Sequence, residues 1–399
     1  MRFLHSADWH LGRVFHGVSL LEDQAHVLQQ FVQLAAEARP DAILLAGDIY
    51  DRSVPPAEAV RLLDVVLTEL VQGLRIPVVM IAGNHDGPDR LAFGARLLGG
   101  AGLTVRGLVD AQPQPIVLHD AWGPVAIHAL PYAEPAVVRS AFGGVVRVAD
   151  EATGDEADDR AAPVVDSHHA ALAAQLQAAR VLRPAGARSV VVAHAFVTGG
   201  SESESERPLS VGASGAVDAA LFDGFDYVAL GHLHRPQHVG AARIQYSGSL
   251  LKYSFSEADQ PKSVSLVELD AVGACTVERI ALSPRRDLRI VEGGLDDLLV
   301  AGTADPGRDD YLLARLTDSG ALLDAMGRLR SVYPNALAIE RPMLLGDGPS
   351  RAAADHRRVQ LTDLFASFHH DTTGLAIDAA GQAALARIVD RLEREARSA

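Results

Sequence analysis

The side chains that could do chemistry in this chain fall into five short clusters. They are Asp8-Trp9-His10, Gly47-Asp48-Ile49-Tyr50-Asp51-Arg52, Gly83-Asn84-His85-Asp86, the single His194, and Gly231-His232-Leu233-His234. Carboxylate, carboxamide and imidazole donors without a thiolate favour borderline-to-hard divalent ions such as manganese, iron or zinc. Asp8, His10, Asp48, Asn84, His194, His232 and His234 are more donors than a single ion uses. Two ions sharing one carboxylate would use them economically. Ions ~3.5–4 Å apart clamp a phosphate, activate water and offset the charge of an in-line displacement. The neutral Asn84 keeps the net charge of such a site positive, which suits a phosphodiester anion. Any one cluster alone is as readily a polar cap on a strand end; the ordered set is what points to a metal centre.

Each cluster must be positioned, and each follows an apolar run: Arg2 to Ala7, Ala42 to Ala46, Ile76 to Ala82, Ser189 to Ala193, and Phe225 to Leu230. Such runs predict buried strands, and α/β sheets gather their ligands at the carboxyl ends of strands. Asp8/His10 and His232/His234 stand at i, i+2, a spacing that an extended backbone would point to one side. Ser19-Leu20-Leu21-Glu22 has capping-box spacing ahead of Val27, Phe31, Leu34 and Ala38, and Val60, Leu63, Leu67 and Leu70 keep a helical period. The alternation predicts parallel pairing with right-handed crossovers.

A further helix is expected over 166–182, and the strand-rich stretch 244–282 reads as the closing sheet of the first domain. After Pro284 a smaller α/β unit is expected, with strands over 312–316 and 336–340 around a helix over 319–332. Residues 145–163 read as an exposed insertion, 346–358 as a Gly/Ala/Arg linker, and Ser201 to Glu206 as a solvated acidic loop. Two helical patterns, 361–369 and 379–396, close the chain.

Composition bounds the function. A chain of 399 residues holds two or three domains, and 48% hydrophobic content supports a sizeable core. Cys275 is the single cysteine, which excludes an internal disulfide and a thiolate-built metal site. No basic segment followed by a long apolar stretch opens the chain, and no apolar run approaches the ~20 residues that span a bilayer. A cytoplasmic location without membrane attachment is expected. The net charge of −15 argues against a large sequence-independent nucleic-acid surface on this chain alone. A DNA substrate would need bound cations or a partner. Among the remaining histidines only His16 and His128 merit a functional test; Trp9 and Tyr50 are as readily packing residues as substrate contacts.

The ordered blocks D-x-H, G-D-x-x-D, G-N-H-D, a lone His and G-H-x-H resemble the signature of the calcineurin-like metallophosphoesterases. The likeness implies a β-sandwich flanked by helices over 1–283, a small α/β capping domain over 284–345, and a helical tail over 359–399. It implies two divalent ions, manganese above all. Asp8, His10, Asp48 and His234 would hold one, and Asp48, Asn84, His194 and His232 the other. His85 would face the scissile phosphate. Some relatives carry a His where this sequence has Asp51, so Asp51 is read from its own place: three residues beyond Asp48 on the same loop, it is expected to orient His85. His5-Ser6-Ala7-Asp8-Trp9-His10-Leu11-Gly12-Arg13 and Ser247-Gly248-Ser249-Leu250 are similar to the SbcD-type branch of double-strand-break nucleases. That branch implies DNA as substrate, an SMC-like ATPase (SbcC) docked on the tail, and a homodimer within a heterotetramer. A metallophosphatase or cyclic-nucleotide phosphodiesterase is the alternative enzyme, and a non-catalytic DNA clamp is the alternative outside enzymes. The ~115 residues after Pro284 count against the first as appended structure of domain size, and the intact ligand set against the second.

Overall fold

The computed structural model describes residues 1–143, 165–207, 209, 215–320, 322–341, 365–366, 369 and 374–398. The expected insertion over 145–163, the linker over 346–358 and most of the helical pattern over 361–369 lie outside the described residues. The chain divides into two compact units, Met1–Arg285 and Arg286–Ala399.

The first unit is built on two six-stranded sheets. In one, the strands run in the order Cys275–Ala281, Ser263–Leu269, Arg2–Ser6, Ala42–Leu45, Val78–Ile81, Leu103–Arg106. The last four pair in parallel, as the strand–helix alternation requires. In the other, the order is Gln237–Val239, Ala241–Tyr246, Tyr227–Gly231, Arg188–His194, Gly123–Leu130, Ile116–Asp120. Alternate residues of both sheets, among them Phe3, Leu44, Val79, Ile127, Val190, Val192 and Ala229, form one buried cluster. That shared cluster makes the two sheets a sandwich. The opposite face of the second sheet buries Val191, Ala193, Val228 and Leu230 with Leu172 and Leu176 of helix His168–Val181.

Two expectations shift here. The stretch 244–282 does not form one closing sheet. Ala241–Tyr246 joins the second sheet beside Tyr227–Gly231, whereas Ser263–Leu269 pairs antiparallel with Arg2–Ser6 and covers the edge that strand would otherwise expose. Nor does Ser19 stand at the N-cap of a helix. It is paired with Val14 in a short hairpin, so helix Leu21–Ala38 begins one residue later with Leu20 at its N-cap, and the Ser19 hydroxyl accepts from the Leu21 amide at 3.4 Å.

The second unit is a three-stranded parallel sheet, ordered Leu288–Gly293, Tyr311–Leu316, Ala336–Glu340. Helices Leu295–Gly302 and Ala325–Val332 connect the strands, and Leu295, Leu298, Leu312, Leu316, Leu329 and Tyr333 fill the core. The second helix starts later than its apolar pattern, because Asp324 caps it by accepting from the Gly327 amide. Helix Ala379–Ser398 follows. No helix among the described residues is long and apolar enough to cross a membrane.

Candidate metal centre

All five clusters lie at or just beyond the carboxyl ends of strands, three from the first sheet and two from the second. The side chains do not converge through extended i, i+2 geometry. Asp8, His10, Asp48 and His232 take φ of 54°, 45°, 51° and 106°, positive values that residues with side chains rarely adopt. Backbone held this way costs free energy and persists where the surroundings fix it. Here the fixing bonds run between loops: the Asp8 amide donates to the Gly47 carbonyl at 3.1 Å, the His10 amide to the Asp48 carbonyl at 2.9 Å. The His232 amide donates to Asp8 Oδ1 at 2.9 Å. The loops approach so closely that a Cβ on Gly83 would stand 2.2 Å from Asp48 Oδ1, and one on Gly231 would stand 2.0 Å from the Ala46 carbonyl oxygen.

The seven expected ligands come together. Donor atoms of Asp8, His10 and His234 lie within 4.8 Å of one another, as do those of Asp8, Asp48 and His194. Asp48 Oδ2 sits 3.6 Å from His10 Nε2 on one side and 3.5 Å from His194 Nε2 on the other. Asn84 Oδ1 stands 2.9 Å from His194 Nε2 and 3.3 Å from His232 Nδ1. Burial, with the neighbouring imidazoles adding to it, pushes His10 and His232 well below the ordinary histidine range, and burial lowers His194. Neutral rings with free lone pairs are what metal ligation needs. Burial and then the nearby Asp48 raise Asp8, a repulsion that a cation between the carboxylates removes.

The donor set fits divalent ions on a geometric test as well. His194 Nδ1 lies 2.9 Å from the Ala46 carbonyl; that bond takes the ring proton and leaves Nε2 bare. Its contact with Asn84 Oδ1 is then lone pair to lone pair, the approach of two atoms aimed at one cation. His10 Nε2 and His234 Nε2 likewise face each other at 3.1 Å, close to the ~3 Å expected of two nitrogens held ~2.1 Å from one ion at a right angle.

His85 and Asp51 stand at the rim, both partly buried. The His85 amide donates to Asp48 Oδ1 at 2.8 Å, and its ring centroid lies 4.7 Å from that of His10. Its Nδ1 meets the main-chain carbonyl of Asp51 at 2.9 Å. The Asp51 carboxylate instead accepts from Arg13 at 2.9 Å and stands 3.6 Å from His10 Nδ1. Donor atoms of His10, Asp51 and His85 also lie within 4.8 Å of one another, but Arg13 already supplies a cation to this group. Asp86 shapes its loop: its carboxylate accepts from the amides of Ile49, Tyr50 and Gly83 at 3.1, 2.9 and 2.9 Å.

Residues 1–236 match the calcineurin-like phosphoesterase family, and residues 284–373 match the type 5 capsule protein repressor C-terminal domain. The chain is 36% identical over 339 residues to the SbcD subunit of the SbcCD nuclease of Staphylococcus saprophyticus subsp. saprophyticus, a match covering 85% of this chain and 84% of that protein. The chain belongs to the SbcD family of calcineurin-like phosphoesterases. A solved structure, TT1561 of Thermus thermophilus, aligns with 70% of this chain and 98% of its own at 16% identity and a TM-score of 0.38.

Within this SbcD-family sandwich, several residues that serve the centre carried no motif. Gln24 Nε2 donates to the carbonyls of Trp9 and His10 at 3.1 and 2.7 Å, and its Oε1 accepts from the Gly12 amide at 3.0 Å, tying the first loop to helix Leu21–Ala38. Trp9 is fully buried, edge-on to Phe31, with Nε1 on Ser6 Oγ at 2.8 Å; it packs. Ser201 to Glu206 is not simply a solvated loop. Glu206 Oε1 accepts from the His234 amide at 2.8 Å and Ser205 is buried against the His234 ring. Alternating Ser and Glu has no apolar period, so composition alone hides this contact.

Proposed function

We propose that the chain is the metal-dependent DNA nuclease subunit of an SbcCD-type repair complex, hydrolysing phosphodiesters at a dinuclear centre. The observation that carries the reading is the position of Asp48 Oδ2 between His10 Nε2 and His194 Nε2 at 3.6 and 3.5 Å. A single carboxylate oxygen between two imidazole-bearing groups is the arrangement of a bridging ligand. Asp8, His10, Asp48 and His234 would hold one ion, and Asp48, Asn84, His194 and His232 the other. Two such ions supply charge for the phosphate and an activated water at neutral pH. The oxygen- and nitrogen-only donor set suits manganese.

The protein's own residues do the rest. His85, its Nδ1–H held by the Asp51 carbonyl, turns Nε2 toward the leaving oxygen; as the imidazolium it would give its Nε2 proton to that oxygen when the ester bond breaks and be left as the neutral Nδ1–H ring. Asp51 holds Arg13 at the rim, where a guanidinium can meet a phosphate. Bound cations and an ATPase partner would offset the −15 charge of the chain, and a DNA substrate supports a cytoplasmic location.

The tail is the surface for the SbcC-type ATPase: helix Ala379–Ser398 leaves Ile388 exposed. A homodimer within a heterotetramer is supported by Phe93, Leu97 and Leu98, an exposed apolar group just after the Asn84-His85 loop. The test of the function is incubation of the purified chain with Mn²⁺ and linear duplex DNA beside a small aryl phosphodiester. Release of nucleotides is expected. Turnover of the small ester alone would make the chain a small-molecule phosphoesterase of the phosphatase or cyclic-nucleotide phosphodiesterase kind, and retention of DNA without cleavage would make it a clamp.

A further inference from the structure

His234 is gripped at three points. Its amide donates to Glu206 Oε1 at 2.8 Å, its carbonyl accepts from Lys262 Nζ at 2.8 Å, and its Nδ1 lies 2.5 Å from Ser205 Oγ. Ser205 in turn donates to Glu257 Oε1. Glu257 Oε2 accepts from Lys262 Nζ at 2.6 Å, and Lys262 also donates to Ser249 Oγ at 3.0 Å. Glu257 is completely buried, and His234, Lys262 and Ser205 are nearly so. A buried Glu–Lys pair is weak ground for stability, since desolvation offsets much of its attraction. Its place behind a metal-ligand candidate gives it another role.

We propose that Ser205 and Glu257 form a relay that fixes the tautomer and direction of the His234 ring, and so set the metal affinity of one half of the centre. This rests on the dinuclear reading above. Ser203 Oγ, 2.9 Å from Ser205 Oγ, gives its own proton to Glu206 Oε2 at 2.7 Å. Ser205 has one hydroxyl proton and gives it to the Glu257 carboxylate, so the contact with His234 runs from Nδ1–H to the Ser205 oxygen. Nε2 is therefore the unprotonated nitrogen, and it is the atom facing His10 Nε2 at 3.1 Å within the Asp8–His10–His234 group. Outer partners of this kind hold the ring angle and raise ligand basicity, and their loss costs ~10–100-fold in metal affinity. Ser205 and Glu257 are positioning residues, because neither reaches the ions or the substrate.

Ser205→Ala is the decisive variant, because it spares the Glu257–Lys262 pair whose loss in Glu257→Gln would strain the core. Mn²⁺ is titrated calorimetrically into the metal-free full-length chain, with the melting temperature measured alongside. The wild type should take two ions. Ser205→Ala should weaken one site ~10–100-fold and leave the other unchanged, and Ser205→Thr should restore the first. Nitrogen-15 spectra of the metal-free chain should show the Nδ1–H form of His234 in the wild type and a tautomer mixture in Ser205→Ala. Unchanged affinities, or an equal loss at both sites with a lowered melting temperature, would overturn the relay. A wild type that takes up no Mn²⁺ would overturn the dinuclear reading, and the relay with it.

Discussion

The Nδ1 of His85 lies 2.9 Å from the main-chain carbonyl oxygen of Asp51, while the Asp51 carboxylate turns away to Arg13. The ring is thus oriented by backbone, with Nδ1 as donor and Nε2 left to exchange the catalytic proton. On the proposed assignment seven other side chains would supply the donor set, so His85 would not be needed for metal. His85→Ala is expected to lower nuclease turnover ~10²–10⁴-fold with two metals per chain retained by elemental analysis. Loss of a metal from the variant would move His85 into the ligand set.

Because the carbonyl and not the carboxylate holds His85, Asp51→Asn should spare that ring. The pH dependence of turnover should keep its shape. What the variant loses is the carboxylate charge facing Arg13, a partly exposed ion pair worth ~1 kcal/mol or less. A displaced limb in the pH–rate profile would return the orienting role to the carboxylate.

His128 sits in strand Gly123–Leu130, fully buried, edge-on to Phe225, with neither ring nitrogen hydrogen-bonded. Burial, then the charge of Arg183, pushes its pKa down to about 4. Its folded value is below its unfolded one, so the unfolded chain takes up the extra proton. Stability from the neutral ring is complete above pH ~6.5 and is lost as pH falls toward 4. His128→Leu fills similar space without unmet polar atoms. It should gain ~1–3 kcal/mol at neutral pH and reduce the slope of unfolding free energy by up to ~1.4 kcal/mol per pH unit in that window. Denaturant titrations at pH 5 and 7 test both; a less stable variant would contradict the unmet-polar account.

What was legible from residue order was what repeats locally. The clusters that converge on the candidate centre were readable because each is a short block at the end of an apolar strand. The parallel core was readable because Ala42–Leu45 and Val78–Ile81 are bounded by turn formers and separated by helical periods. The centre's backbone was not: the left-handed turns at Asp8, His10, Asp48 and His232 follow from loop-to-loop hydrogen bonds that no local pattern records. The strand Leu288–Gly293 was also missed, since Leu288-Arg289-Ile290-Val291-Glu292 carries charge at both flanks of a short apolar run. Glu257 and Lys262 lie far along the chain from Ser205, and only the folded packing brings them together.

Helix Ala379–Ser398 presents Leu385, Ile388 and Val389 at helical spacing, with Ile388 exposed and its two neighbours partly so. A single helix with such a stripe gains its stability from packing rather than from propensity. A chain ending at Arg358 is expected to cleave short DNA with Mn²⁺ as the full chain does, yet fail to co-purify with the SMC-like ATPase. Retained co-purification would place the docking surface elsewhere.

The central claim is that two ions act together across Asp48. The direct measurement is the initial rate of duplex DNA cleavage as Mn²⁺ is added by equivalents to the metal-free chain, with Asp48→Ala in parallel. The wild-type rate should stay near background through the first equivalent and reach its plateau at the second, while Asp48→Ala binds neither ion tightly and stays at background throughout. Full activity at one equivalent, or an active Asp48→Ala chain, would contradict the account.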